Sequence, residues 1–334
     1  MQPADPHAAS ISAVRSQEVS GDEAGQRIDN YLLRILKGVP RSHVYRLLRR
    51  GEVRVNSRRV DASYRVEAGD RVRIPPVRTA APARPVGAAS SRESRREIAP
   101  VLYEDERLLV VDKPAGAAVH GGSGVRAGLI DQLRAQRPDA HFLELVHRLD
   151  RDTSGCLLIA KKRSALRTLH ALLREGKVEK RYLALVAGDW ANATLVDAPL
   201  DTHHRRGTER IVRVQEEGKA AATRFQPVQR YDGATLVEVE TLSGRTHQIR
   251  VHAAHAGHPL AGDPKYGDEA FDARAREFGL RRLFLHAHVV SFAWPDSTGD
   301  VHVSAPLPEP LRAVLDAWPK RRGGGARSRR RSAR

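Results

Sequence analysis

The sequence predicts an α+β protein with two folded parts, a small basic module followed by a larger domain in which strands dominate. Over residues 21–78, two segments with helical periodicity precede segments in which apolar and polar residues alternate. Over residues 98–319, short apolar or β-branched runs recur, and helical stretches interrupt them irregularly rather than in regular βαβ units. A length of 334 residues and a hydrophobic content of 40% suffice for two domains with substantial cores.

The basic module begins with two predicted helices. The segment QRIDNYLLRILKG (26–38) has apolar residues on one helical face, and PRSHVYRLLRRG (40–51) repeats the pattern and ends at Gly51. The alternating segments GEVRVNSRRV (51–60) and YRVEAGDRVRI (64–74) predict short strands. The exposed arginines of this module are well placed to contact phosphate groups: Arg41, Arg46, Arg49, Arg50, Arg58 and Arg59.

The larger domain is predicted from its apolar runs. The segment SALRTLHALLREG (164–176) has helical periodicity and predicts a helix. The predicted strands are VLYEDERLLVVD (101–112), SGCLLIA (154–160), YLALVAG (182–188), ATLVEVETL (234–242) and LFLHAHVVSF (283–292).

Three segments outside these domains have no periodic pattern. Residues 1–20 and the basic segment 320–334 are predicted to be disordered ends. Residues 79–97, rich in Ala, Pro, Ser and Arg, are predicted to form a linker.

The net charge of +17 is concentrated in two segments. Residues 26–78 contain 14 Lys and Arg against 5 Asp and Glu, and residues 320–334 contain 8 Lys and Arg without an acid. These two segments account for the whole net charge, so the rest of the chain is neutral on balance. Two separate basic segments favour binding to a nucleic acid over an ordinary solvated surface.

Cysteine content and hydropathy indicate the compartment. Cys156 is the one cysteine, so an intramolecular disulfide is excluded and a reducing cytosol is favoured. The N-terminal residues have no apolar segment typical of a signal peptide, and no apolar run approaches the length of a membrane span. We therefore expect a soluble, cytoplasmic protein that does not contact a membrane.

Several common catalytic motifs are absent from the sequence, and the histidine-rich segment is a weak metal candidate. There is no dinucleotide-binding glycine motif, no P-loop and no nucleophile elbow. On one helix, the later histidines of THQIRVHAAHAGHP would not converge on one point, and the interleaved arginines Arg245 and Arg250 would repel a cation. We expect no metal site; a metal-dependent hydrolase remains the weakest alternative. The segment contains His247, His252, His255 and His258.

The segment HRLDRDTSG (147–155) is the strongest candidate for chemistry. Asp150 lies between Arg148 and Arg151, just before a predicted buried strand. A carboxylate beside guanidinium groups stays ionised, which suits a nucleophile or an electrostatic stabiliser. The spacing of these residues is equally consistent with a surface ion pair. The residues by themselves therefore leave open whether Asp150 is a catalytic carboxylate or part of a surface ion pair.

Four segments, in order, resemble the motifs of bacterial RNA pseudouridine synthases that modify large-subunit ribosomal RNA. The basic module, with DEAGQRIDN, LKGVP, GEVRVN and EAGDRVRIPPVR, is similar to the RNA-binding domain first described in a small-subunit ribosomal protein. The resemblance covers about residues 20–310. Its four motifs are LLVVDKPAGAAVHGG (108–122), HRLDRDTSGCLLIAKKRSALR (147–167), KRYLALVAG (180–188) and SGRTHQIRVHAAHAGHPLAGDPKYG (243–267).

The resemblance implies a fold and an activity. The expected catalytic domain has a mixed, largely antiparallel sheet, and the expected reaction converts uridine to pseudouridine in 23S ribosomal RNA. The glycosidic bond breaks, the base turns, and a carbon–carbon bond forms, so no cofactor or metal is needed. The expected enzyme is a monomer. A noncatalytic RNA-binding or ribosome-assembly factor remains the alternative from another class.

The resemblance also assigns roles to individual residues. Asp150 is the expected catalytic acid, which either attacks the anomeric carbon or removes the neighbouring ribose proton. Tyr182 is expected to stack on the flipped base and assist proton transfer, and Arg250 is expected to pair with the acid. Arg148 is expected to hold the nucleotide out of its stack. The other expected substrate-binding or pocket-shaping residues are His147, Arg245, His247, Lys113 and His120.

Overall fold

The chain divides into two compact units, residues 1–96 and residues 97–334. The predicted linker and almost all of the predicted basic tail lie outside the described residues, as do residues 1–13. No helix in the described part of the chain is long and apolar enough to cross a membrane. The computed structural model describes residues 14–36, 39–77, 98–120, 128–140, 142–206, 209–296 and 299–321.

The first unit packs two helices against a three-stranded antiparallel sheet. The apolar faces of the helices form its core with the strands, through residues such as Ile28, Leu32, Val44 and Val72. Gly51 ends the second helix in the left-handed conformation, as the sequence predicts. The elements are β1 (Arg15–Glu18), a single 3₁₀ turn (Gly21–Glu23), α1 (Ile28–Ile35), α2 (Arg41–Arg50), β2 (Arg54–Val55) and β3 (Arg71–Ile74). The strands are ordered β1-β3-β2 in the sheet.

The prediction that residues 1–20 are disordered is wrong for residues 15–18, which form β1. Its sequence RSQE has no apolar alternation, so periodicity gives no signal for it. The strand forms through antiparallel backbone pairing with β3, from Arg15 opposite Ile74 to Glu18 opposite Arg71. Val19, the next residue, is buried and fixes the end of the strand in the core.

The second unit is built on one large sheet. The remaining elements lie against it, except for the hairpin of β10 and β11, which pair with each other. In chain order the elements are β4 (Val101–Glu104), β5 (Leu108–Lys113), α3 (Leu129–Gln136), β6 (Glu144–Leu145), β7 (Ser154–Ala160), α4 (Arg163–Arg174), β8 (Glu179–Ala187), β9 (Thr194–Asp197), β10 (Leu200–Arg206), β11 (Glu209–Val214), β12 (Ala222–Tyr231), β13 (Ala234–Thr241), α5 (Gln248–His255), α6 (Glu269–Glu277), β14 (Leu285–Ala293), β15 (Asp300–Ser304) and α7 (Glu309–Ala317).

The large sheet is mixed and mostly antiparallel, which confirms the predicted fold class. Its ten strands include the path β4-β5-β7-β14-β8-β13-β12-β9, with β15 pairing to β14 and β6 pairing to β7. Among the pairs in the described residues, β7 with β14 is the parallel one. This pair lies near the middle of the sheet, next to β8.

Strand β7 is buried at all seven positions because both faces of the sheet are covered there. Cys156 and Leu158 pack on the side of α4, whereas Leu157 and Ile159 pack on the side of α3. Burial on both faces explains the uninterrupted apolar sequence of this strand. The rigid strand fixes the position of the turn before it, which contains Asp150.

Gly155 is required where β7 meets β14. Its φ is +110°, a conformation that L side chains rarely adopt, and a Cβ there would overlap the backbone carbonyl group of Ala287. We expect Gly155→Ala to lower the free energy of unfolding by roughly 3 kcal/mol through overpacking and backbone strain. Urea denaturation followed by circular dichroism measures this change.

Gly176 is the matched control. It also has a positive φ, of +69°, but no atom lies within 4 Å of the Cβ position. Gly176→Ala should therefore lower the free energy of unfolding through backbone strain alone, by about 1 kcal/mol. Equal losses in the two variants would contradict the proposed overlap at Gly155.

Candidate active site

A cavity of about 520 Å³ opens in the second unit where several segments meet. Most of its lining comes from the turn before β7 (147–153), the start of β8, and the connection from β13 into α5 (241–250). The end of α4 and the start of β14 also contribute. Lys113 and His120 do not line it. Seven of the nine residues predicted to react with or bind the substrate do line it: His147, Arg148, Asp150, Tyr182, Arg245, His247 and Arg250.

Lys113 holds the turn that contains Asp150. It is fully buried at the end of β5, and its Nζ donates to the backbone oxygens of Pro114, Ala117 and Arg151 at 3.0, 2.8 and 2.9 Å. Burial lowers its pKa to about 8. The prediction that Lys113 binds substrate is corrected, because its ammonium group is enclosed and its three hydrogens are used by the backbone.

His147 and His120 have different environments. The Nε2 of His147 accepts a hydrogen bond of 3.2 Å from the backbone N–H of Leu158. Burial and the nearby charge of Lys180 lower the pKa of His147 to about 4, so its ring is neutral. His120 is exposed and stands apart from the cavity-lining residues.

Arg250 connects the carboxylate of Asp150 to a second, buried carboxylate. Its Nε and Nη2 donate to Asp263 Oδ2 and Oδ1 at 2.7 and 2.6 Å, and its Nη1 lies 3.5 Å from Asp150 Oδ2. The side chain of Asp263 is fully buried, whereas that of Asp150 is 19% exposed. One guanidinium group therefore binds one acid tightly and contacts the other loosely.

Asp263 keeps its charge despite its burial. Burial is the largest single effect and opposes ionisation of this carboxylate, but the hydrogen bonds and charge of Arg250, together with two backbone N–H groups, outweigh burial and lower its pKa. The backbone N–H groups of Lys265 and Tyr266 add two more bonds, of 2.9 and 3.1 Å. Asp263 thus holds Arg250 in place from inside the protein.

His247 lies beside Asp150. It precedes α5 with a left-handed φ of +53°. The hydroxyl of Tyr266 accepts from the backbone N–H of Val212 at 2.9 Å and lies 2.8 Å from His247 Nδ1. The other ring nitrogen, Nε2, lies 3.8 Å from Asp150 Oδ2. Burial lowers the pKa of His247, although the charge of Asp150 opposes this effect.

Tyr182 and the two rim arginines complete the predicted set. Tyr182 is partly buried on β8 and forms a hydrogen bond with Thr241. Burial raises the pKa of Tyr182 above its ordinary value, and the charge of Asp150 acts in the same direction, so the hydroxyl stays protonated. Arg148 and Arg245 are exposed at the cavity, and Arg245 Nε donates to the Ala220 carbonyl at 3.1 Å.

His252 and His258 have separate hydrogen-bond partners, and His255 is exposed. His252 is buried between Thr223 Oγ1 and the Ala198 carbonyl, each 2.9 Å from a ring nitrogen. His258 Nδ1 lies 2.7 Å from the Ala187 carbonyl. Within the described ranges, no group of three or more His, Cys, Asp and Glu side chains could hold a metal ion.

Sequence reasoning did not identify Asp263, Tyr266 and Lys180 as functional residues. Asp263 and Tyr266 belong to the last of the four family-like motifs (243–267), but their spacing from Arg250 and His247 does not predict contact between these residues. The alternation of β8 is a usable signal for Lys180, because residues two apart on a strand share a face and Tyr182 was already a candidate.

The six arginines predicted to contact RNA are exposed on the first unit. Four belong to α2, and the other two follow β2. Arg59 Nη2 donates to the backbone carbonyl of Arg50 at 2.8 Å, which links the two groups. Their contact with RNA stays a prediction. The residues are Arg41, Arg46, Arg49, Arg50, Arg58 and Arg59.

The sequence and the fold correspond to a known family. The family model of RNA pseudouridylate synthases matches residues 107–255, and the S4 domain model matches residues 26–72. These matches, together with relatives that are more than half identical over most of the chain, show that the chain belongs to the RNA pseudouridylate synthase family. Proteins of this family are isomerases that act on RNA.

The relatives confirm the resemblance that the motifs predict. The chain is 54% identical over 307 residues to ribosomal large subunit pseudouridine synthase C of Pasteurella multocida (strain Pm70), covering 91% of this chain and 94% of the relative. It is 52% identical over 306 residues to the protein of that name from Escherichia coli (strain K12), covering 91% and 96%. The solved structure of human RNA pseudouridylate synthase domain containing 1 aligns with a TM-score of 0.56 and 27% identity, covering 67% of this chain and 89% of that chain.

The buried ion pair of Arg250 and Asp263 should stabilise the second unit. We expect Asp263→Asn to lower the free energy of unfolding by about 3–5 kcal/mol, because it leaves the buried guanidinium without its paired charge. Asp232→Asn is the matched control, since Asp232 forms a 2.6 Å pair with Arg274 but is 71% exposed. That variant should change stability by less than about 1 kcal/mol. Similar losses in both variants, measured by urea denaturation, would refute the expectation.

Proposed function

We propose that this chain isomerises uridine to pseudouridine in 23S ribosomal RNA, with Asp150 as the reacting side chain. The observation that carries the proposal is the position of Asp150 in the cavity, where Arg250 and His247 face its carboxylate. The names of the relatives, which are large-subunit pseudouridine synthases, support the choice of substrate.

The loose pairing of Asp150 suits the first step. An acid with strong hydrogen bonds to both oxygens would be a poor nucleophile or base, whereas the Asp150 carboxylate has one long contact of 3.5 Å to Arg250. Asp150 either attacks the anomeric carbon of the ribose or removes the neighbouring ribose proton. Both routes break the bond between uracil and ribose and start from the ionised acid.

The other cavity residues act on the base and the nucleotide. The protonated hydroxyl and the ring of Tyr182 support a role in stacking on the freed uracil and in proton transfer at carbon 5. After the base turns, carbon 5 bonds to the anomeric carbon, either as the bond from that carbon to Asp150 breaks or as the abstracted ribose proton returns. Carbon 5 then loses its proton, and the former glycosidic nitrogen gains one. The rim arginines Arg148 and Arg245 hold the extruded nucleotide, since extrusion costs a few kcal/mol.

We also propose how the chain binds RNA, where in the cell it acts and that it acts as a monomer. The exposed arginines of the S4 domain contact RNA phosphates and hold the substrate near the second unit. Ribosomal RNA as a substrate supports a cytoplasmic location. Because the acid, the arginine that pairs with it and the tyrosine all come from one chain, we infer that a monomer is active.

Release of tritium from uracil carbon 5 tests this function. We expect the protein to release tritium from labelled 23S ribosomal RNA in the presence of a chelator, and Asp150→Asn to be at least roughly a thousand-fold slower because it lacks the reacting carboxylate. Asp152→Asn is the control, because it makes the same change two residues away and does not line the cavity.

Three results would contradict the proposal. Binding of RNA without tritium release would favour a noncatalytic RNA-binding factor. Loss of release on adding the chelator would favour a metal-dependent reaction. Equal rates for the Asp150 and Asp152 variants would remove Asp150 from the chemistry.

A further inference from the structure

The cavity contains more positive charge than its acids neutralise. Among its lining residues, five are Lys or Arg and one, Asp150, is an acid. Arg250 is paired with Asp150 and Asp263. Within the described part of the chain, the other four cations have no acidic partner within 4 Å. These four are Arg148, Arg174, Lys180 and Arg245.

Lys180 differs from the other three because it is not exposed. The three arginines are exposed to solvent, where an unpaired charge costs little. The side chain of Lys180 is partly buried, has neither a hydrogen bond nor an ion pair among the described residues, and has its pKa lowered by burial. A partly buried charge without a partner is less well solvated than an exposed one, so Lys180 is a candidate for binding an anion that arrives with the substrate.

Lys180 lines the cavity beside the residues proposed to act on the base. Lys180 and Tyr182 lie two residues apart on β8 and line the same cavity. The charge of Lys180 also reaches His147, in the turn that contains Asp150. Lys180 therefore faces the space that the flipped nucleotide enters.

Two arginines share this wall of the cavity. Arg148 follows His147 directly, and Arg174 is the last residue of α4. The bond between His170 Nε2 and the Val146 carbonyl, 3.1 Å long, packs the end of α4 against the turn. We call Arg148, Arg174 and Lys180 the cationic wall.

We propose that the cationic wall binds a backbone phosphate of the RNA next to the target uridine, with Lys180 as its central contact. This inference rests on the proposed function. Phosphate is the anionic part of a nucleotide, whereas uracil and ribose are neutral, so three unpaired cations match phosphate best. Arg250 and His247 face Asp150 and thereby screen its negative charge from the bound phosphate.

Lys180→Met tests the proposal because it keeps the length of the side chain and removes its charge. We expect the affinity for a 23S ribosomal RNA transcript to fall about ten-fold near 0.1 M salt. The slope of log K against log salt should become shallower by about 0.7–0.9, the value for one lost phosphate contact. The melting temperature should equal or exceed that of the unaltered protein, because the variant removes a partly buried charge that has no partner.

Two control variants accompany the test. Lys180→Arg retains the charge and should retain the salt slope of the unaltered protein. Lys177→Met removes the charge of a nearby lysine that is exposed and paired with Glu175 outside the cavity. It should leave both affinity and salt slope unchanged.

Each other result overturns the proposal. Weaker binding with an unchanged salt slope would mean that Lys180 contacts a neutral oxygen of the base or the ribose. Unchanged affinity, or a lower melting temperature without a change in slope, would mean that Lys180 has a structural role. Tritium release by the unaltered protein is measured in parallel, so a failure of this inference is distinguishable from a failure of the proposed function.

Discussion

The guanidinium group of Arg250 is the interaction on which the site depends. It is 4% exposed, its carbon lies over the ring of Tyr266, 5.1 Å from the ring centre, and its nitrogens join two carboxylates. Through these contacts α5, the turn after it and the turn before β7 meet at one point. A cation so deeply buried is stable only with a charged partner, and Asp263 supplies that partner.

The two carboxylates around Arg250 have different properties because their surroundings differ. Asp263 accepts two bonds from the guanidinium and two from the backbone, so its oxygens are fully engaged. Asp150 is partly exposed and has long contacts to Arg250 and His247. The tightly bound acid fixes the cation, and the loosely bound acid keeps free electron pairs on the side of the cavity.

The sequence predicted the features that have a periodic or a motif signal. Helices α1 and α2, the left-handed end at Gly51 and the mixed sheet followed from patterns or from the resemblance. Strand β1 was missed because a polar strand held by backbone pairing has no apolar pattern. Lys113 was assigned to the substrate because a sequence does not reveal burial. The roles of Asp263 and Tyr266 depend on contacts made only in the fold.

The three backbone bonds of Lys113 affect when the turn of Asp150 becomes ordered. Because its ammonium group joins the loop after β5, at Pro114 and Ala117, to Arg151 in this turn, the turn loses its conformational freedom as the chain folds. An RNA that enters the cavity then meets a preorganised acid, and none of its binding energy goes into ordering that loop. More of this energy remains to extrude the uridine from its stack.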